Sequence, residues 1–224
     1  MIEFYLDTVD LGQIARFNES IPLTGITTNP TILAKASVGI TELLPEVSSL
    51  FEAVPRIHIQ VVSASVNEMV LEAQKLHALP YDIVVKVPAT EIGLAAIRKM
   101  KRYQIPVLAT AIYSAEQGFL AATCGADYLA PYVNRMNVLG IDGVAVVSDL
   151  QNLVECHQLN SVLLPASFKN SQQVLNVLKL GVGAITLPVN VIEGLFSQSV
   201  VQPAVEQFEL DWQTAFGTKR SFES

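Results

Sequence analysis

Charge is what this sequence has least of: 16% of its 224 residues are Asp, Glu, Lys or Arg, while 50% are hydrophobic. A soluble domain ordinarily carries about 25% charged residues, so the shortage points to surface covered by contacts between subunits. The formal charge of −7, with no run of Lys or Arg, argues against a general nucleic-acid partner. An anionic ligand would need a local cluster of cations. Long apolar runs are missing too. No stretch reaches the roughly 18 uninterrupted apolar residues of a membrane span, and no membrane partner is expected. Met1 leads directly into Ile2-Glu3-Phe4-Tyr5 without a basic leader, which reads as a cytoplasmic protein with no signal peptide.

Cysteine and histidine are equally sparse. Cys124 and Cys156 lack CxxC spacing, so each is expected as a buried free thiol rather than half of a disulfide. His58, His77 and His157 occur singly, with no paired spacing on a helix face. No metal site is expected, and each imidazole reads as an ordinary surface or packed group. No GxGxxG follows the first apolar run, which weakens a dinucleotide-binding reading. No linker or shift of composition divides the chain, so residues 1–224 read as one domain.

What is present is a repeat of one pattern: a short β-rich apolar run, a polar or Gly/Pro corner, then a stretch of helical period. The expected strands are Glu3–Asp7, Leu23–Thr27, Arg56–Val62, Ile83–Val87, Pro106–Ala111, Asp127–Val133, Ser161–Ala166 and Ala184–Pro188. Several, such as Ile83-Val84-Val85, are apolar on both parities, as a parallel strand covered on both faces requires. Helical periods follow at Val66–Leu79, Ile92–Met100 and Ser171–Leu180. Asn29-Pro30 reads as an N-cap followed by a proline at the first helical position. Gly125 and Gly181 suit left-handed positions just past helices. Eight alternating units specify an α/β fold, a (β/α)8 TIM barrel. After them comes an extra C-terminal helix, Pro203–Phe216, carrying the only tryptophan, Trp212, and read either as a lid on the barrel or as an oligomer contact.

In such a barrel, chemistry gathers where the strands end. Those positions carry Asp7, Thr27, Asn29, Gln60, Lys86, Thr110, Tyr132, Arg135, Ser167 and Lys169. Lys86 interrupts an otherwise apolar run. Burial would disfavour its charged form and raise the fraction of neutral, nucleophilic amine. Its competing reading is an edge-strand gatekeeper or a structural ion pair. Asp7 shares parity with Tyr5 and could orient hydroxyls, pair with Lys86 or move a proton, or else serve as a helix N-terminal acid. Gln60 and Thr110 are neutral and can hold a water or cap loop backbone. Tyr132 can relay a proton or bury its ring. Arg135, Ser167 and Lys169, with backbone N–H groups at helix starts, suit a phosphate monoester.

The segments Tyr5-Leu6-Asp7-Thr8, Gly25-Ile26-Thr27-Thr28-Asn29-Pro30-Thr31, Val85-Lys86-Val87-Pro88, Ala130-Pro131-Tyr132-Val133-Asn134-Arg135 and Ala166-Ser167-Phe168-Lys169 resemble those of the small transaldolases. Among these they are most similar to the fructose-6-phosphate aldolase branch, and the likeness extends into the tail Phe208–Phe216. The resemblance implies a class I aldolase without a cofactor, with a Schiff base on Lys86. It also implies dihydroxyacetone contacts from Asp7 and Asn29, and hydroxyl or phosphate contacts from Ser167 and Arg135. Transaldolases of this size tend to carry Glu at the Gln60 position and Phe at the Tyr132 position. Here both are of the aldolase type, and with Thr110 they would hold a catalytic water. The implied assembly is a homo-oligomer, a decamer of two pentameric rings. Alternatives are a transaldolase, a pyridoxal phosphate enzyme using Lys86, and a non-catalytic barrel that binds a ligand.

Overall fold

The computed structural model describes residues 2–197 and 200–223. Eight parallel strands form the barrel: β1 (Glu3–Asp7), β2 (Leu23–Thr27), β3 (Arg56–Gln60), β4 (Asp82–Pro88), β5 (Val107–Ile112), β6 (Tyr128–Pro131), β7 (Val162–Leu163) and β8 (Ala184–Leu187). They are hydrogen-bonded in the order β7-β6-β5-β4-β3-β2-β1-β8. The Thr186 N–H donates to the Pro165 carbonyl at 3.2 Å and nearly closes the remaining gap. The helices around them are α1 (Leu11–Ser20), α2 (Pro30–Ala36), α3 (Ile40–Ser49), α4 (Val66–His77), α5 (Glu91–Met100), α6 (Ala115–Thr123), α7 (Val133–Val138), α8 (Gly143–Cys156), α9 (Ser171–Leu178) and α10 (Val189–Phe196), followed by α11 (Val201–Phe216). This is the expected TIM barrel with an extra helix.

Strand alternation divides the core into two shells. Ile57 and Ile59 of β3, Ile83, Val85 and Val87 of β4, and Val107 and Ala109 of β5 face outward and pack with the helices. The opposite parity supplies an interior cluster of Tyr5, Val84, Leu108, Tyr128, Ala130, Leu164 and Ala184. Both faces of each strand are therefore buried, which is why the runs read apolar on both parities. At the strand-start end of the barrel, Glu3 accepts from the Tyr5 hydroxyl at 2.6 Å and the Tyr128 hydroxyl at 2.9 Å, and Arg56 bridges Tyr128 and Asp82. The Glu3, Arg56 and tyrosine groups that meet there satisfy one another, as burial demands.

Local chemistry sets the ends of the elements. Asn29 caps α2 by accepting from Ile32 N at 3.0 Å, with Pro30 at the first helical position. Gly125 (φ 92°) and Gly181 (φ 75°) take left-handed conformations beyond α6 and α9. Gly93, in the first turn of α5, lets the helix close on β4: a Cβ there would lie 1.9 Å from the Pro88 carbonyl oxygen.

Three strand ends differ from expectation by two residues or more, each for a physical reason; the other differences are of one residue. β3 stops at Gln60 rather than Val62 because the Glu72 carboxylate takes the N–H groups of Val62 and Ser63. β7 shrinks to two residues because Pro131 of β6 has no N–H to return to the Leu164 carbonyl, although the Leu164 and Ala166 N–H groups still donate to β6. Val133 opens α7 rather than ending β6, its N–H donating to the Ala166 carbonyl. The thiols also depart in part: both are free, but Cys124 is only partly covered and Cys156, the last residue of α8, is exposed. No residue of α11 is buried, and Phe208, Leu210 and Phe216 are exposed, which does not support its reading as a lid on its own barrel. No helix among the described residues is long and apolar enough to cross a membrane.

Candidate active site

Lys86 occupies an inward position of β4, paired in register with Gln60 of β3 and Leu108 of β5. It is 6% exposed. Its amine donates to the Thr28 carbonyl at 2.6 Å rather than to Asp7, so the ion-pair expectation does not hold. Burial pushes its pKa below the ordinary lysine value, and the Asp7 carboxylate opposes that shift. A lysine in this setting holds more of the neutral amine, the form that attacks a carbonyl. Barrel closure leaves β4 with a neighbour on each side, which removes the edge-strand reading.

Asp7, at the end of β1, accepts a hydrogen bond from the Thr27 hydroxyl at 2.7 Å. The Thr27 and Thr186 hydroxyls are also 2.7 Å apart. Asp7 is thus fixed by side chains at the strand ends and does not cap α1, whose cap is Asp10. That settles its helix-cap alternative.

A second polar centre forms from β5 and the end of β6. The Thr110 hydroxyl and the Tyr132 phenol are 2.8 Å apart. A register shift in β5, with Ala111 at φ 56°, accompanies this placement. Strain of that kind in a non-glycine residue is held by its surroundings: here the Gln117 amide donates to the Ala111 and Ala89 carbonyls. Tyr113 lies edge-on to Tyr132 at 5.8 Å between ring centroids, and the Arg135 guanidinium sits 4.8 Å from the Tyr132 ring centre. Burial raises the Tyr132 pKa, while Thr110 and Arg135 act against the rise. The group is a protonated phenol at neutral pH, suited to relaying a proton.

The anion cluster is looser than expected. Arg135 is exposed and donates to the Tyr113 hydroxyl at 3.4 Å, a bond that holds its pKa above the usual value. Lys169 is also exposed, and Ser167 sits at φ 61°. The backbone groups invoked for an anion are largely engaged. Val133 N and Asn134 N donate to the carbonyls of Ala166 and Ser167, and Lys169 N donates to the Gln173 side chain. A phosphate here would rest on side chains.

The strand ends thus gather Asp7, Thr27, Gln60, Lys86, Thr110 and Tyr132 at one mouth, with Asn29, Ser167 and Lys169 on the loops beyond and Arg135 in the first turn of α7. Three participants were not read from the sequence: the Thr28 carbonyl, Thr186 and Tyr113. Thr186 was legible in principle, as a hydroxyl at inward parity in an apolar strand. Tyr113 was not, because its approach to Tyr132 depends on the β5 irregularity.

The family model described as Transaldolase/Fructose-6-phosphate aldolase matches residues 4–220. Among solved structures, the chain resembles a mandelate oxidase mutant, seen once with a monooxide FMN adduct and once with 4-Br-2-hydroxy-methylphenylacetate. In both the TM-score is 0.58 at 13% identity, with 84% of this chain and 64% of the oxidase chain covered. The chain thus spans less than two thirds of the oxidase, and at that identity the likeness is one of fold alone.

Proposed function

The chain belongs to the transaldolase/fructose-6-phosphate aldolase family and is an enzyme of that aldolase/transaldolase class; we propose that it is a fructose-6-phosphate aldolase. It reversibly cleaves the ketose phosphate to dihydroxyacetone and glyceraldehyde 3-phosphate through a Schiff base on Lys86. The observation that carries the branch assignment is the Tyr132–Thr110 hydroxyl pair at 2.8 Å, together with the neutral Gln60 paired to Lys86.

The Lys86 amine attacks the C2 carbonyl, and the carbinolamine loses water to an iminium. The positive nitrogen accepts the electron pair as the C3–C4 bond breaks, so no metal is required as a Lewis acid. Glyceraldehyde 3-phosphate leaves, the enamine gains a proton at C3, and water releases dihydroxyacetone. Over the cleavage half, one proton passes from the C4 hydroxyl to C3. A neutral phenol and a water held by Gln60 and Thr110 relay it without adding charge to a buried site. Asp7 and Asn29 orient the dihydroxyacetone hydroxyls; Arg135, Ser167 and Lys169 take the phosphate.

The test compares release of free dihydroxyacetone with its transfer to erythrose 4-phosphate. Release in the absence of acceptor supports aldolase action; fast transfer with almost no release makes the protein a transaldolase. The exposed apolar side chains of α11 and the low charge content support a homo-oligomer in which α11 reaches a neighbouring copy; the decamer of two pentameric rings rests on the family resemblance alone. The enzyme works in the cytoplasm.

A further inference from the structure

Among the described residues, one fully buried side chain inside the barrel has polar atoms without a partner. His58 is fully buried, and neither Nδ1 nor Nε2 has a hydrogen-bond partner. Its ring is held edge-on to Tyr5 at 4.7 Å and to Tyr128 at 5.3 Å between centroids. Strand register sets it beside Thr27 of β2 and Val84 of β4. Two residues further along β3, on the same face, is Gln60, paired with Lys86. The imidazole therefore lies in the layer beneath the amine. Burial and the Lys86 charge both keep it neutral.

A neutral imidazole offers one N–H and one lone-pair nitrogen. Leaving both unpaired is destabilising, and Phe would fill a slot between two tyrosine rings without that penalty. Such a group calls for something that completes its hydrogen bonds. The threonine hydroxyls of β2 are already engaged: that of Thr27 with Asp7 and Thr186, that of Thr28 with the His58 carbonyl. The other interior side chains nearby, Val84, Leu108, Ala130 and Leu164, are apolar. A ketone joined to Lys86 through C2 has two arms. With the reacting C3 arm turned to the Tyr132–Thr110 pair, the other arm is free to turn down toward this floor, one layer below Lys86.

We propose that His58 determines donor specificity: one ring nitrogen hydrogen-bonds the hydroxyl on the arm of the ketone that does not react. The inference rests on the Lys86 Schiff base argued above. Dihydroxyacetone carries that hydroxyl, and hydroxyacetone reacting through its hydroxymethyl carbon lacks it.

The experiment measures kcat/KM for both donors, with glyceraldehyde 3-phosphate as acceptor, in the full-length protein and in His58→Phe and His58→Asn. The ratio of dihydroxyacetone to hydroxyacetone is expected to fall about tenfold or more in His58→Phe, the loss of one hydrogen bond in a buried site, chiefly through KM. Asn, which keeps a donor and an acceptor, is expected to restore part of it. His58→Phe is also expected to melt at or above the wild-type temperature, because two unpaired nitrogens are gone. A merely structural histidine would instead lower the melting temperature and leave the ratio alone. An unchanged ratio, or an equal loss for both donors, overturns the proposal; should the Phe variant not fold, the Asn variant and the wild type decide by the same ratio. Borohydride trapping in each protein separates the two claims. An adduct on Lys86 with an unchanged ratio overturns only the role of His58, whereas no adduct in the wild type with either ketone overturns the Schiff-base reading itself.

Discussion

Replacing Tyr132 by Phe deletes one oxygen and leaves the ring where Tyr113 and Arg135 hold it, at 5.8 Å and 4.8 Å. The lost oxygen is the one 2.8 Å from the Thr110 hydroxyl, and Thr110 is 1% exposed. Stripping a buried hydroxyl of its partner costs about 1–3 kcal/mol. At roughly 2–4 °C of melting temperature per kcal/mol for a chain of this size, the barrel still folds at assay temperature. Loss of a positioned acid–base group costs far more in rate, about 10²–10⁴-fold, so the kinetic effect dominates. The assay follows glyceraldehyde 3-phosphate released from fructose 6-phosphate, beside transfer to erythrose 4-phosphate and trapping of the imine. Release is expected to fall by about 10²–10⁴-fold while Lys86 is still trapped and the balance shifts toward transfer. A variant that folds, traps and releases product at the wild-type rate, with the same ratio, refutes the role given to the phenol.

Other perturbations probe the fold and its electrostatics. The His58 pKa is depressed well below the ordinary histidine value by burial, then by Lys86 and Arg56. Below about pH 6.5 the unfolded chain binds a proton that the folded chain refuses, so stability falls with acidification by up to about 1.4 kcal/mol per pH unit from this group; above that pH the contribution is constant. Denaturant titrations at a series of pH values should show a shallower acid loss in His58→Phe, and parallel curves would contradict the shift. Gly93→Ala should destabilise by about 1–3 kcal/mol, since the 1.9 Å approach to the Pro88 oxygen outweighs the roughly 1 kcal/mol of helix propensity gained. A stabilised variant in thermal melts would show that α5 has room to move. Deleting the residues after Val201 should dissociate the proposed oligomer while the barrel keeps its circular dichroism, and an unchanged hydrodynamic size would count against α11 as the contact.

Much of this was legible because barrel periodicity leaves few choices. Tyr5 and Asp7 share parity, and both do point inward from β1. Lys86 stood out as the one cation in an apolar run, and only burial could make that placement matter. What stayed hidden depended on partners distant in sequence or on broken regularity. Glu72 ends β3 from α4, ten residues beyond Val62. Ala111 takes a left-handed conformation that no propensity assigns to alanine, and the Thr110–Tyr132–Tyr113 arrangement goes with it. His58 read as an ordinary surface or packed imidazole, and it is packed; that both nitrogens lack partners was not legible from the sequence. Cys156 read as buried from its helical setting, yet it falls on the exposed end of α8.

The most direct measurement is borohydride reduction in the presence of dihydroxyacetone, followed by peptide mapping, with Lys86→Met alongside. A stable adduct is expected on Lys86 and on no other lysine, with loss of activity in parallel. Lys86→Met should fold, because the apolar chain removes a buried amine, yet show neither adduct nor turnover. An adduct confined to another lysine, or turnover in Lys86→Met, would contradict a Schiff base at this position.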